Sequence, residues 1–312
     1  MSVLVVGSVA YDSVVTPSGN RQDSLGGSAT FFSVASSYFT DVSVVAVVGD
    51  DFKSKDIDFM KKHGVDVSGL EVCQGGKTFR WSGVYSEDVN TRETLETQLN
   101  VFADFSPKIH CEQKRTPFLF LANIDPDLQF SVLSQMDKRP QLVALDSMNY
   151  WIEGKNCSLN KVIESVDLLF VDEGEARAIA GEFNLIRCAE HIMGLGPQTI
   201  VIKRGEHGVL VFHGSVIFSV PGFPLTNPLD PTGAGDSFAG GFIGYLSASG
   251  DLSLNGFRRA AVTGSVMGSF AVESFGLDRI GSLAVADIDA RFRAFTELSQ
   301  FQPLDERESL LN

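Results

Sequence analysis

Short apolar segments of strand length alternate with longer amphipathic segments along most of this chain, and this alternation constrains the fold more than any other feature. In the first half these segments lie at residues 3–6, 28–39, 42–47, 52–63, 119–121, 128–136, 142–145 and 168–171. Strands separated by helices pair in parallel, because the chain must cross back over the sheet before each new strand begins. The sequence therefore predicts an α/β fold with a doubly wound, mainly parallel sheet flanked by helices.

The second half of the chain continues this pattern and then becomes helical. Its predicted elements are helices at 173–181 and 189–195, a strand at 199–203, a hairpin at 209–212 and 216–220, and helices at 238–246, 256–270 and 287–298. We expect one domain over residues 1–302 and a polar C-terminal tail over residues 303–312.

Residues 77–101 interrupt the alternation of strands and helices. Apolar and polar side chains alternate on both sides of a polar turn at residues 87–90, which is typical of extended strands. Because no helix lies between the two strands, we expect them to form a small β-sheet that projects from the main one.

The composition excludes several classes of function. The 312 residues are 44% apolar and carry a formal net charge of −14. No stripe of Lys and Arg interrupts this acidic background, so we expect no binding to nucleic acid or to a membrane. The four cysteines lack metal-ligand spacing, residues 1–12 lack a signal-peptide pattern, and the apolar runs are too short to cross a bilayer. We therefore expect a cytoplasmic protein.

The segment Asp230–Phe238 indicates the chemistry most directly. It reads Asp-Pro-Thr-Gly-Ala-Gly-Asp-Ser-Phe and leads into a helix with an apolar stripe. Small residues at a helix start leave backbone amides uncovered, and such amides stabilise phosphate oxygens. Asp236 at the rim of this anion pocket could accept the proton of an attacking hydroxyl. A glycine-rich turn with an aspartate that caps the helix is the alternative explanation of the same residues.

Over nine residues this segment resembles the signature of the ribokinase-like (PfkB) carbohydrate kinases. The same family resemblance extends to Asp12, to the pair Gly26-Gly27 before a helix, to residues 48–52 and to residues 64–66, and so covers roughly residues 3 to 295. The resemblance implies an ATP-dependent kinase that transfers the γ-phosphoryl group to a hydroxyl of a sugar or sugar derivative. A nucleoside kinase of the same family is the first alternative. A binding protein that keeps the fold without turnover is the second.

The resemblance also implies roles for residues of the signature. Asp236 would be the catalytic base, and the amides of Gly233, Ala234 and Gly235 would form the anion hole. Thr232 would contribute to the nucleotide site. Asp230, with main-chain groups of residues 272–276, would hold a monovalent cation, and K⁺ is the candidate.

Two further motifs fit the nucleotide end of such a site. Asp172 and Glu175 lie where a strand meets a helix, at the position of the family's Asn-x-x-Glu motif, and would organise Mg²⁺ mainly through water. An acidic helix amino terminus is the alternative for this pair. Lys203, Gly205 and Gly208 resemble the family's nucleotide loop, in which glycines let the backbone approach a ligand. An ordinary turn before the hairpin is the alternative there.

The acceptor end departs from ribokinase itself, because Ala10, Ser28 and Phe31 stand where ribokinase carries polar residues. In this family the projecting sheet acts as a lid over the acceptor. The residues expected to bind the acceptor are Asp12, Gly26, Gly27, Phe31, Arg80, Trp81, Arg92 and Asn100, with Asn90 near them. Trp81 could stack on an apolar ring face, and Arg80 or Arg92 could bind a polar group. Packing of these side chains on the main domain, or in a homodimer formed through the lid, is the alternative.

Overall fold

The computed structural model describes residues 1–87 and 92–300. The strands are β1 (Ser2–Val6), β2 (Ala10–Thr16), β3 (Gly19–Gly26), β4 (Asp41–Gly49), β5 (Val65–Cys73), β6 (Phe79–Tyr85), β7 (Arg92–Gln98), β8 (Phe118–Leu121), β9 (Leu142–Asp146), β10 (Leu168–Asp172), β11 (Thr199–Lys203), β12 (Val209–His213) and β13 (Val216–Val220). The helices are α1 (Ser28–Ser36), α2 (Ser54–Lys62), α3 (Pro126–Gln135), α4 (Asn149–Gly154), α5 (Asn156–Ile163), α6 (Glu173–Ala180), α7 (Leu185–Leu195), α8 (Ala234–Ser249), α9 (Leu254–Ala271) and α10 (Val285–Ser299).

Nine strands form the main sheet, in the order β13-β12-β11-β10-β9-β8-β1-β4-β5. All neighbours pair in parallel except in the antiparallel run β11-β12-β13 at one edge. The chain order reverses between β1 and β8, and in open parallel sheets ligands bind beyond the carboxyl ends of the strands near such a point. The prediction of a doubly wound α/β fold is confirmed. Within residues 1–87 and 92–300, no helix is both long and apolar enough to span a membrane.

A separate small sheet contains four strands in the order β3-β2-β6-β7. We call these four strands the small sheet. Strands β6 and β7 lie within the region 77–101 that the sequence predicts as extended. Strands β2 and β3 were not anticipated. Most of the predicted turn (88–90), including Asn90, and the predicted tail at 303–312 lie outside the described residues.

Helices cover both faces of the main sheet, which explains why its central strands are apolar on both sides. On one face α1 packs against α8, and Phe32 of α1 stacks on Phe120 of β8 with a ring separation of 4.2 Å. The two helices approach closely at Gly240. A Cβ atom there would lie 2.5 Å from the carbonyl oxygen of Phe32 and 2.8 Å from the Ala35 Cβ. Gly240 therefore sets the distance between α1 and α8.

We expect Gly240→Ala to lower the free energy of unfolding by about 1–3 kcal/mol, because the added methyl group overpacks the contact between α1 and α8. Gly194→Ala is the matched control, since Gly194 lies in α7 and its Cβ would meet nothing within 4 Å. That substitution should leave stability unchanged or raise it by up to about 1 kcal/mol. Thermal or urea unfolding of both variants measures the difference. Equal shifts in the two variants would show that the helix contact is not tight.

Candidate active site

The start of α8 forms the centre of the site. Gly233 caps this helix with φ 75°, a left-handed conformation that L side chains rarely adopt. A Cβ on Gly233 would also lie 2.3 Å from Cγ of Phe31, whose ring is buried beneath the turn. Both constraints require glycine at this position. Phe31 was expected to contact the acceptor, and the structure corrects this: the ring is a core residue that supports the turn.

Backbone amides at this helix start are available to a ligand. The Ala234 amide donates to the carbonyl oxygen of Pro231 at 3.1 Å, so it belongs to the turn and is not a free donor. Among the described residues, the amides of Gly233, Gly235 and Asp236 have no backbone acceptor. Three free N–H groups at the amino end of a 16-residue helix suit an anion.

Asp236 lies in the first turn of α8, next to these amides. Burial, the largest cause, and the nearby carboxylate of Asp146 raise the pKa of Asp236 to about 7, although Lys203 and Arg92 oppose the rise. A carboxylate with a pKa near neutrality can both accept and release a proton at physiological pH. Asp236 therefore exchanges protons near neutral pH, next to the free amides of the helix start.

Lys203, at the end of β11, provides a cation beside the same amides. Its Nζ donates to Oδ2 of Asp146 at 2.9 Å, and the lysine side chain is 20% exposed. Burial alone would lower the pKa of Lys203, but the carboxylates of Asp146 and Glu175 outweigh it and raise this pKa. A Cβ on Gly235 would lie 3.2 Å from Nζ, which shows how near the ammonium is to the anion pocket. Lys203 therefore stays charged beside these amides.

Two side chains of this site were missed by the sequence analysis. Asp146 ends β9 and is buried against Lys203. Tyr85 ends β6, and its hydroxyl lies 3.1 Å from Oγ1 of Thr232. The sequence feature that could have indicated Asp146 is a single acidic residue at the carboxyl end of an apolar strand. The signal for Tyr85 was its even spacing from Trp81 along β6, which places both on one face of the small sheet.

A cleft opens next to the anion pocket, with a volume of about 240 Å³. Its lining residues include Lys203, Gly205, Gly208, Phe223, Leu225, Gly235, Phe238, Gly268 and Val272. Gly205 and Gly208 both have positive φ, at 54° and 85°. A Cβ on Gly208 would lie 2.1 Å from the carbonyl oxygen of Val220, so glycine at this position also lets the loop lie close to the end of β13. The cleft has the place and the lining expected for a nucleotide.

Asp172 and Glu175 form a reciprocal cap at the start of α6. Oδ1 of Asp172 accepts the Glu175 amide at 2.7 Å, and Oε2 of Glu175 accepts the Asp172 amide at 2.8 Å. Burial raises the pKa of Glu175 to about 8. The two side chains thus cap α6, and one oxygen of each carboxyl group remains free of a hydrogen bond among the described residues.

Asp230 joins the signature turn to the loop after α9. Its Oδ1 accepts the Thr232 amide at 2.9 Å, and its Oδ2 accepts the Gly276 amide at 3.1 Å. Burial raises the pKa of Asp230. The structure therefore brings together the two segments from which the sequence predicts a monovalent-cation site.

Asp12, on β2, faces the same centre from the small sheet. Its Oδ2 accepts the Gly27 amide at 3.3 Å, and a Cβ on Gly26 would lie 1.9 Å from that oxygen. Gly26 and Gly27 must be glycines because the Asp12 carboxyl group lies against the backbone there, where a side chain at Gly26 would clash. Burial, together with Asp230, raises the pKa of Asp12 to about 7. Asp12 also interacts electrostatically with Asp236, which places the two carboxyl groups in one site.

Trp81 and Arg80 lie on opposite faces of the small sheet, because successive residues of a strand alternate in direction. Trp81 is paired with Asp12 across β2 and β6, so both face the site, and the Arg92 guanidinium lies 5.4 Å from the centre of the Trp81 ring. Arg80 instead forms ion pairs with Asp23 and Asp51 on the other face. The expectation that Arg80 and Trp81 bind the acceptor together is corrected for Arg80.

Asn100 is also used by the protein itself. Its Nδ2 donates to the carbonyl oxygen of Thr78 at 2.9 Å, and its φ is 50°. Asn100 therefore fixes the end of the connection that follows β7, and the structure does not place it with Asp12 and Trp81.

Residues 2–280 of this α/β fold match the pfkB family carbohydrate kinases, and the chain belongs to that family. This membership makes the protein a phosphotransferase with an alcohol group as acceptor. It is similar to a cytidine kinase of Thermococcus kodakarensis, with 28% identity over 78% of this chain and 88% of that protein.

Solved structures of other proteins share this fold. The nucleoside kinase of Burkholderia thailandensis in complex with inosine has a TM-score of 0.75 at 20% identity, over 96% of this chain and 100% of that one. A putative ribokinase II of E. coli in complex with ATP and Mg²⁺ has a TM-score of 0.77 at 18% identity, over 94% of this chain and 99% of that one.

The raised pKa of Asp236 predicts a pH-dependent stability. A carboxyl group whose pKa rises from 3.8 to about 7 on folding stabilises the folded state at low pH, and this contribution is lost as the pH rises through 7. Asp236→Asn carries a neutral amide, so this variant buries no negative charge at high pH. Its melting temperature should therefore exceed that of wild type by an amount that grows from about pH 5 to about pH 8.

The matched control is Asp127→Asn, because a hydrogen bond from Lys155 lowers the pKa of Asp127. That variant should have no stability gain that grows over the same pH range. Thermal unfolding at several pH values measures both differences. Parallel curves for wild type and Asp236→Asn would contradict the assigned pKa.

Proposed function

We propose that this protein is an ATP-dependent kinase that phosphorylates a hydroxyl of a sugar ring, either free or within a nucleoside. One observation carries the proposal: the Asp236 carboxyl group lies beside unpaired amides and a partly buried lysine, and Lys203 and Gly235 line the adjoining cleft. This arrangement combines a base for the acceptor with donors for the transferred group.

The chemistry follows from the positions of these groups. Asp236 accepts the proton of the acceptor hydroxyl as its oxygen bonds to the γ-phosphorus. The bond from that phosphorus to the bridging oxygen of ADP breaks. The amides of Gly233 and Gly235 and the ammonium of Lys203 stabilise the negative charge on the phosphoryl oxygens. The cleft beside Lys203 binds the rest of the nucleotide.

Mg²⁺ fits this site if water molecules, and not protein side chains, are its direct ligands. Within residues 1–87 and 92–300, no cluster of three His, Cys, Asp or Glu side chains could hold a metal ion. The free carboxyl oxygens of Asp172 and Glu175 would bind water on a Mg²⁺ that neutralises the ATP phosphates. K⁺ at Asp230 remains a prediction, supported by the two loops that this carboxylate joins.

A nucleoside is the second candidate acceptor, and Trp81 favours it. The indole ring faces the site beside Asp12, so Asp12 could accept hydrogen bonds from ring hydroxyls while the indole packs on a flat base. The similarity to a cytidine kinase agrees with this choice. A homodimer through the small sheet also remains a prediction, and the exposed apolar side chains Val15 and Leu95 on that sheet support it.

We expect Asp236→Asn to lower kcat by about 100-fold or more, in the range lost when general-base catalysis is removed, with little change in ATP affinity. Asp289→Asn, an exposed acid on α10, is the control and should keep wild-type turnover. ADP release with sugars and nucleosides as acceptors measures both. Turnover close to wild type in Asp236→Asn would show that the base lies elsewhere.

We expect Trp81→Ala to raise the KM of the acceptor by about tenfold, since a stacking contact contributes about 1–1.5 kcal/mol. Arg80→Ala should raise it less, because Arg80 lies on the opposite face of the small sheet. The KM of ATP should change little in either variant. Steady-state kinetics with each substrate varied in turn separates these effects. Equal changes in both variants would indicate that each acts by disturbing the small sheet as a whole.

A further inference from the structure

Arg291, on α10, packs against a residue that lines the cleft beside Lys203, and its own side chain is only 14% exposed. The guanidinium lies over two aromatic rings, 3.5 Å from the centre of the Phe270 ring and 4.7 Å from the centre of the Phe223 ring. Phe223 lines the cleft, and its ring also packs on Phe295 of α10 at 5.4 Å. Because a planar guanidinium stacks on ring faces, Arg291 holds the Phe223 ring in place.

The same guanidinium holds a second part of the cleft wall, at the end of α9. Its Nη1 group donates to Oγ of Ser269 at 3.1 Å. The Ser269 hydroxyl in turn donates to the carbonyl oxygen of Val266 at 2.7 Å, so its only hydrogen is used within the protein. Ser269 lines the cleft and is buried. Its side chain is therefore a fixed part of the wall and not a donor to a ligand.

Glu273 provides the counter-charge for Arg291. Its Oε1 accepts from Nη2 of Arg291 at 2.6 Å, and its Oε2 accepts from Nε of Arg279 at 3.3 Å. Glu273 directly follows Val272, which lines the cleft and whose carbonyl oxygen accepts the Leu229 amide at 2.7 Å. The ion pair therefore connects α10 to the loop that is hydrogen-bonded to the start of the signature segment.

The cleft has lining residues of two chemical kinds. Lys203 lines it next to the free amides of α8, whereas Phe223, Leu225 and Val272 are apolar lining residues. Phosphate groups of a nucleotide would bind beside the lysine and the amides, which leaves the apolar residues to contact the ribose and base. The contacts of Arg291 lie on the apolar part of this wall.

We propose that Arg291 is a positioning residue of the nucleotide site, which holds the part of the cleft wall that contacts the ribose and base of ATP. It acts through Phe223 and Ser269 and does not itself touch the nucleotide. The inference rests on the proposed kinase function, because it assigns ATP to this cleft. Loss of Arg291 should therefore weaken ATP binding and leave both the acceptor site and the chemical step unaffected.

Steady-state kinetics with cytidine, inosine and D-ribose as acceptors test this role. Arg291→Ala should raise the KM of ATP by about tenfold, with kcat and the acceptor KM within about twofold of wild type. Arg291→Lys keeps the positive charge beside Glu273. An ammonium group cannot stack on both rings and also donate to Ser269 and Glu273 in fixed directions, so this variant should raise the KM of ATP by about threefold.

Arg293→Ala is the matched control, because Arg293 is an exposed arginine on the same helix. Its kinetics should equal those of wild type. Glu273→Gln keeps a hydrogen-bond acceptor but removes the charge opposite Arg291, and it should raise the KM of ATP by about threefold. The double variant Arg291→Ala with Glu273→Gln should be no worse than Arg291→Ala alone, since the two residues act as one unit.

Binding gives a second readout that does not depend on catalysis. Calorimetric titration with ADP and Mg²⁺, without an acceptor, should show about tenfold weaker binding to Arg291→Ala than to wild type. Inorganic tripolyphosphate has no ribose or base, so its inhibition constant should be the same for both proteins. An equal loss of affinity for ADP and tripolyphosphate would show that Arg291 acts through its charge and not by positioning the wall, and would overturn the assignment.

A purely structural role for Arg291 gives a different result. Thermal unfolding would then show lower melting temperatures for Arg291→Ala and Arg291→Lys, while the KM of ATP and the ADP affinity per folded molecule stay at wild-type values. That result, or failure of Arg291→Lys to fold although it keeps the ion pair, overturns the assignment. If wild type itself binds neither ATP nor ADP, the proposed function fails, and this assignment fails with it.

Discussion

The ion pair between Lys203 and Asp146 organises the active site. Asp146, Glu175 and Asp236 all interact electrostatically with Lys203. Removal of the partly buried Lys203 ammonium would leave several carboxylates without a counter-charge. The free energy lost in this way exceeds the net stabilisation that the ion pair provides. Lys203 also lies at the carboxyl end of β11, so the sheet fixes its position before any ligand arrives. The pair therefore sets how readily Asp236 gives up its proton, because Asp146 raises the pKa of Asp236 and Lys203 lowers it.

The carboxyl groups of this site reach it from separate parts of the chain. Asp12 comes from the small sheet, Asp146 from the main sheet, and Asp236 from the start of α8. The pKa values of Asp12 and Asp236 both lie at about 7, because burial and nearby carboxylates, Asp230 for Asp12 and Asp146 for Asp236, disfavour their charged forms. A bound ligand that carries charge would therefore shift the pKa values of both carboxyl groups.

Features that are local in sequence could be predicted, and features that depend on tertiary register could not. The strand and helix pattern predicted the parallel sheet, and the string from Asp230 to Asp236 predicted a helix start with uncovered amides, because each is encoded in consecutive residues. Strand β3 was missed because its residues are mostly polar and exposed. Asp146 was missed because its partner Lys203 lies 57 positions away. Arg80 and Trp81 are neighbours in sequence, and only the pairing of β6 with β2 shows which of them faces the site.

Strand β2 lies inside the small sheet, hydrogen-bonded to β3 on one side and to β6 on the other. The sheet is therefore not an insertion that can be exchanged as one piece, because its inner strand begins only a few residues after β1 and carries Asp12. Replacing residues 79–98 with those of a relative would pair foreign strands β6 and β7 with the native strands β2 and β3. Deleting them would leave β2 with an open edge, which invites pairing with other chains. Acceptor preference in this fold is thus easier to change by single side chains than by segment exchange.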